Sequence, residues 1–338
     1  MQNSGESCQK SFFVFRTHSL YISQTFSTSY NGMNDIILRT TNLGKHYKNR
    51  WAAQDINLEV HRGDVFGFLG PNGAGKSTSI RMILSLIKPT TGSVQLFGHD
   101  LVAEREKALM NVAGIVEKPD FYLYLSAFRN MQIAGSLTLG RTPDKAKVME
   151  TLRVVGLAER AQDKVKTFSH GMKQRLGIAQ ALLCDPQLIM LDEPTNGLDP
   201  QGMKEVRELI LRLSTERGIT VFLSSHLLNE VEQVATRMAI INKGKMIVQG
   251  SVSELLKVNA NKLLIHAEPV KKAVSTLTAM KNVSGVTVTE EGIIAQIEPK
   301  FAPAAVKGLV EAKCKVYSVQ PRHSLEEYFL EKTAGSEP

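Results

Sequence analysis

From residue 36 onward, short apolar runs alternate with segments in which apolar positions recur every three or four residues. IILRTTNL (36–43), INLEV (56–60), VFGFL (65–69), SVQLFG (93–98), NVAGIV (111–116), LIML (188–191), ITVFLS (219–224) and MAIINKGKMIVQG (238–250) read as strands. VFGFL and LIML carry no polar face, the pattern of strands covered on both sides. Helical spacings lie between several of them, as in STSIRMILSLI (77–87). This order predicts an α/β fold: a mainly parallel sheet clad in helices, with an antiparallel β subdomain formed by strands near its start and end.

Two interruptions divide the pattern. Between about 118 and 185 the strands vanish and helical spacing continues alone, clearest in PDKAKVMETLRVVG from Pro143, which predicts a helical insertion. After residue 257 a new series starts: strand KLLIHA, helix PVKKAVSTLTAM, strands GVTVTEE and GIIAQIE, helix APAAVKGLVEA, strand KVYSV and a last helix SLEEYFLEK (324–332). β-α-β-β-α-β is the order of a small ferredoxin-like α+β domain. The expected organisation is a main domain over 34–257 and an accessory domain over 258–338.

Residues 1–33 fit neither pattern. Residues 1–32 hold seven serines, three threonines, four phenylalanines and one acidic residue, Glu6. Arg16 and His18 interrupt the apolar stretch after SFFVF, which disfavours a signal peptide. We read this segment as a disordered extension upstream of Met33, where a self-sufficient segment opens.

The 338 residues suit one large domain and a small one, and 43% hydrophobic content suits globular cores. Cys8, Cys184 and Cys314 share no metal-ligand spacing, favouring a reducing, intracellular setting with Cys184 as a small core residue. The longest apolar runs fall far short of the roughly 20 residues that cross a bilayer. A net charge of +8 is compatible with nucleic acid, anionic membrane or phosphate. The basic residues are scattered, so charge does not choose among them.

The chemistry starts at Gly70-Pro71-Asn72-Gly73-Ala74-Gly75-Lys76-Ser77-Thr78, which fits G-x-x-x-x-G-K-[ST] and lies between a strand and a helix, the context that pattern requires. Backbone N–H groups of such a turn converge on an anion, and its glycines clear the approach. Lys76 would then reach the β- and γ-phosphates of a nucleotide and Ser77 would ligate Mg²⁺. In LIMLDEP, Asp192 stands at the carboxyl end of an apolar strand, where open α/β sheets bind ligands. Asp192 is a candidate for Mg²⁺ and Glu193 for the base that takes a proton from an attacking water.

FSHGMKQRLGIAQALL precedes these carboxylates. Ser169 could cap the helix that follows. Yet S-x-G-x-x-Q-R, then Asp192, NGLDP and the lone His226 come in an order that resembles the ATP-binding cassette family over residues 36 to about 250. The resemblance implies an ATP-hydrolysing cassette that works as a homodimer. It assigns Tyr47 to adenine stacking, Ser169, Gly171 and Gln174 to the signature facing the other subunit's nucleotide, Asp199 to the dimer-contact loop and His226 to the γ-phosphate. Asp199 before Pro200 also suits a helix cap.

In GIVEKPDFYLYLS, Glu117 ends a strand where most cassettes carry glutamine. Read alone, it is a surface charge; by the resemblance, it meets Mg²⁺ or water on one side and a membrane subunit on the other, beside an apolar docking patch. With the ferredoxin-like tail, the glutamate resembles ATP-binding subunits of bacterial exporters of the bacitracin-resistance type. The expected partners are integral membrane permease subunits, the expected place the cytoplasmic face of the membrane, and no nucleic acid is expected. A soluble cassette ATPase acting on nucleic acid or ribosomes, or an exporter of heme, polysaccharide or lipid, is the alternative.

Overall fold

A computed structural model of the chain describes residues 35–117, 119–258 and 262–321. The predicted helix at 324–332 and the extension at 1–33 lie outside the described residues. Contacts divide the chain into two units, Met1–Gln249 and Gly250–Pro338. That division falls ahead of the 257/258 boundary expected from the sequence.

In the first unit the strands are β1 (Ile36–Tyr47), β2 (Arg50–Ile56), β3 (Glu59–His61), β4 (Val65–Leu69), β5 (Thr91–Leu96), β6 (His99–Asp100), β7 (Val112–Ile115), β8 (Leu188–Leu191), β9 (Thr220–Ser225), β10 (Arg237–Asn242) and β11 (Lys245–Ser251), the last running on past Gln249. The helices are α1 (Lys76–Ile83), α2 (Arg105–Leu109), α3 (Ala127–Leu139), α4 (Lys145–Val154), α5 (His170–Leu182), α6 (Pro200–Thr215) and α7 (Leu228–Val234). Along the curled sheet the order is β6-β5-β1-β2-β11-β10-β4-β9-β8-β7, with β3 paired to β1.

The strands β10, β4, β9, β8 and β7 pair in parallel, while β1 runs antiparallel to β2, β3 and β5. The fully apolar strands predicted from sequence are the ones buried on both faces: VFGFL, VAGI and LIML have no exposed residue. Phe66 and Phe222 stack across β4 and β9 with ring centroids 5.4 Å apart. Between β7 and β8, among the described residues, only helices and 3₁₀ turns occur, apart from a single bridge between Ser126 and Lys164.

Two expected strands are divided. INLEV spans the end of β2 and the first two residues of β3, parted where the Asn57 side chain accepts the Asn42 N–H at 2.8 Å. MAIINKGKMIVQG breaks into β10 and β11 at Lys243 and Gly244, both with left-handed backbone. The strand Arg50–Ile56 was legible only at its last residue, because RWAAQDI mixes alanines with polar residues and shows no clean alternation.

The second unit holds α8 (Val252–Val258), β12 (Lys262–Glu268), α9 (Val270–Thr278), β13 (Val283–Thr289), β14 (Gly292–Ile297), α10 (Ala302–Glu311) and β15 (Lys315–Pro321). Its antiparallel sheet runs β13-β14-β12-β15, the ferredoxin-like order. Alternate residues Leu263, Ile265, Ile293, Ala295 and Ile297 face a core shared with Leu277, Leu309 and Cys314. Outside that core, the exposed Tyr317 donates its hydroxyl to Glu268 at 2.9 Å, which raises the phenol's pKa.

Candidate functional site

Register decides what meets what. Leu69 of β4 stands beside Ser225 of β9, Leu191 of β8 beside Leu223, and Ile115 of β7 beside Leu191. The residues that follow these strand ends, Gly70, Asp192, His226 and the segment leading to Glu117, therefore emerge along one edge of the sheet. That is the edge at which open parallel sheets place their ligands.

Gly70–Thr78 wraps the start of α1. Gly75, just before the helix, has φ 108°, and a Cβ there would stand 2.3 Å from the Ala52 carbonyl oxygen, so only glycine fits. Lys76 is 5% exposed. Its ammonium donates to the Gly70 and Pro71 carbonyls at 2.6 and 3.2 Å and pairs with Glu193 Oε1 at 3.0 Å. The other oxygen of Glu193 meets His226 Nδ1 at 2.7 Å.

Behind this pair runs a chain of hydrogen bonds. The Glu193 N–H donates to Ser224 Oγ at 2.9 Å, and the Ser224 hydroxyl donates to Asp192 Oδ1 at 2.6 Å. Glu193 has φ 49°, a left-handed conformation uncommon for a side-chain-bearing residue and held here by its bonded N–H. Asp192, buried, has its own N–H tied to the Ile115 carbonyl at 2.9 Å. Two acids one residue apart are thus aimed differently, one inward to Ser224 and one toward Lys76 and His226. A phosphate oxygen reaching Lys76 competes with Glu193 for the same ammonium.

A cleft of about 280 Å³ opens over the loop. Asn72, Gly73, Gly75, Lys76, Ser77, Thr78 and Glu193 line it, joined by Arg50, Trp51 and Asn196. Gly70, Pro71 and Ala74 belong to the loop but do not line the cleft, Gly70 and Pro71 serving through their carbonyls. Tyr47, the aromatic expected at adenine, is not among the lining residues; it is exposed near the end of β1 with Lys45 5.2 Å from its ring. The aromatic at the cleft is Trp51, packed edge-on against His46 at 4.9 Å.

The other expected residues gather elsewhere. Ser169 caps α5, accepting the Met172 N–H at 3.2 Å, and Asp199 caps α6, accepting the Gly202 N–H at 3.2 Å. These two helix starts lie side by side, since a Cβ on Gly171 would come 3.5 Å from the Gly202 Cα. Gln174 is buried and, with Pro119, His170 and Lys173, borders a hollow separate from the cleft. Glu117, at φ 71°, is paired with Arg81 of α1. Two residues on, Pro119 presses on α5: a Cβ on Gly177 would lie 2.8 Å from Pro119 Cγ.

Beyond Glu117 the aromatics turn outward. Tyr122 is 61% and Tyr124 77% exposed. Asn130, buried in α3, fixes their loop by accepting the Tyr122 N–H at 2.9 Å and donating to the Tyr122 and Ser126 carbonyls at 3.1 and 3.0 Å. Sequence reasoning missed Ser224, Arg50, Trp51 and Asn196. Ser224 had a signal, the polar pair Ser224-Ser225 that ends an otherwise apolar strand.

Comparison with known proteins agrees with this geometry. The family described as ABC transporter matches residues 53–196. The chain is 40% identical over 301 residues to the bacitracin transport ATP-binding protein BcrA of Bacillus licheniformis, spanning 88% of this chain and 98% of that one. It is 40% identical over 213 residues to the lantibiotic transport ATP-binding protein SrtF of Streptococcus pyogenes, spanning 63% and 90%. Among solved structures, cbiO1 of Clostridium perfringens, part of the ABC transporter complex cbiONQ, is 27% identical with a TM-score of 0.60, covering 67% of this chain and 95% of that one.

Proposed function

The chain belongs to the ABC transporter family as an ATP-hydrolysing, ATP-binding subunit, and we propose that it powers export of a peptide antibiotic or drug of the bacitracin or lantibiotic type through separate membrane subunits. One observation carries this reading. The likeness to the bacitracin transport protein runs over 301 residues and 98% of that protein, too long to stop at the cassette, so it takes in the C-terminal unit as well.

In this reading Lys76 and the loop N–H groups hold the β- and γ-phosphates, and Glu193, released from Lys76, takes a proton from the attacking water. His226 then serves the γ-phosphate. Trp51 or Tyr47 covers the base. Ser169, Gly171, Gln174 and Asp199 complete the site of a second copy of the chain.

Ser77 and Asp192 offer hard oxygen donors that suit Mg²⁺. Among the described residues no group of three or more His, Cys, Asp or Glu clusters as a metal site. Bound there, Mg²⁺ would neutralise charge developing on the phosphate oxygens.

Among the described residues no helix is long and apolar enough to cross a membrane. Phe121, Tyr122, Leu123 and Tyr124 form the surface that docks on the membrane subunit at the cytoplasmic face, with Glu117 at its root. The test is a strain deleted for the chain. It should become more sensitive to bacitracin or a lantibiotic, regain resistance with the wild-type chain, stay sensitive with Glu193→Gln, whose hydrolysis should fall by about a hundredfold, and recover only in part with Phe121→Ala/Tyr122→Ala. Unchanged sensitivity to both peptide classes would end the export reading.

A further inference from the structure

Glu230 has no place in the chemistry above, yet it is a carboxylate 7% exposed in α7, four residues beyond His226. Buried charges are costly unless something compensates them. One oxygen of Glu230 accepts the Thr195 hydroxyl. The other has no hydrogen bond and faces Arg207 of α6 at 4.0 Å. Thr195 belongs to the turn that joins Glu193 to Asp199, where the Asn196 N–H returns to the Glu193 carbonyl at 3.1 Å and the Leu198 N–H to the Thr195 carbonyl at 3.2 Å.

The backbone around Glu230 is fixed as well. Val231, next in α7, sits so close over β4 that a Cβ on Gly67 would fall 2.2 Å from its Cγ1. Two links therefore join the same pair of segments: His226 to Glu193 at the reacting end, and Glu230 to Thr195 behind it. The first must loosen when His226 turns to phosphate. The second does not touch the nucleotide cleft and can persist.

We propose that Glu230 is a positioning residue for hydrolysis: through the Thr195 hydroxyl it holds the helix behind His226 to the turn behind Glu193, so that base and switch histidine keep their spacing when their direct contact opens. The inference rests on the roles given above to Glu193 and His226. A misplacement of about 1 Å at such a site can cost on the order of a hundredfold in rate.

The test uses the full chain and compares wild type with Thr195→Val, Thr195→Ser, Glu230→Gln, Thr195→Val/Glu230→Gln and, as control, Glu193→Gln. ATP turnover, ATP affinity from a fluorescent analogue and the thermal midpoint are measured on each. Thr195→Val should lower kcat by roughly tenfold or more with ATP affinity close to wild type; its midpoint should fall, because the buried Glu230 carboxylate loses its hydrogen bond, and Thr195→Ser should restore both. Glu230→Gln, which keeps an acceptor but loses the charge, should fall between them in kcat, and the double variant, with no buried charge left unpaired, should regain part of the midpoint while losing as much kcat as Thr195→Val alone. Normal kcat in Thr195→Val, an equal loss in Thr195→Ser, kcat recovering together with the midpoint in the double variant, or additive losses would overturn the proposal while leaving the base assignment standing. Normal turnover in Glu193→Gln would instead remove the base assignment, and this inference with it.

Discussion

At the carboxyl edge of the sheet the charged groups already answer one another: Lys76 holds Glu193, Glu193 meets His226, and Ser224 bridges to Asp192. At the starts of α5 and α6 the arrangement differs. Ser169 and Asp199 each satisfy one N–H of their own helix, while Ser169 and His170 stand exposed beside them. A helix start has more N–H groups than one cap can satisfy, and those left over favour an anion. One region is finished within the chain; the other is the one that the proposed dimer would complete.

The largest test of that division is Ser169→Arg. A bulky cation at the signature should leave ATP binding by the single chain unchanged but lower hydrolysis by about tenfold or more, because it obstructs only the shared half of the site. Loss of binding in the monomer would show that α5 belongs to the chain's own nucleotide cleft, and the division would collapse.

A smaller effect separates two aromatics within the finished region. Trp51 lines the cleft and Tyr47 does not, so Trp51→Ala should weaken ATP binding by roughly tenfold, the scale of one lost aromatic stacking contact of about 1.4 kcal/mol. Tyr47→Ala should change it far less. Titration with a fluorescent ATP analogue measures both, and the reverse ranking would return the base to Tyr47.

The smallest effect belongs to Arg81. Its pairing with Glu117 is half exposed, so Arg81→Gln should shift stability by less than about 1 kcal/mol in denaturant unfolding. A much larger shift would mean that this pair holds the edge together as firmly as the buried contacts do.

Legibility in the sequence followed the same physical line. The phosphate loop, Asp192 and Glu193 were readable because each follows a fully apolar strand, whereas His226 was singled out only by the family resemblance. Trp51 was not, since β2 lacks alternation and its start is placed by pairing with His46 of β1. Ser224 was half readable as a polar residue in an apolar strand. The Thr195–Glu230 contact spans 35 positions, and nothing local in either residue announces the other. The β-α-β-β-α-β order of the tail was legible because its strands and helices are short and regular, while α8 and the true start of β13 were not.

Pro119 against Gly177 has one more consequence. A side chain at Gly177 would find no room beside the proline ring, so the contact resists being pressed together and offers little against being drawn apart. In mechanical terms it is a strut and not a cable. If the surface beyond Glu117 docks as proposed above, a push on Pro119 would reach α5 more directly than a pull.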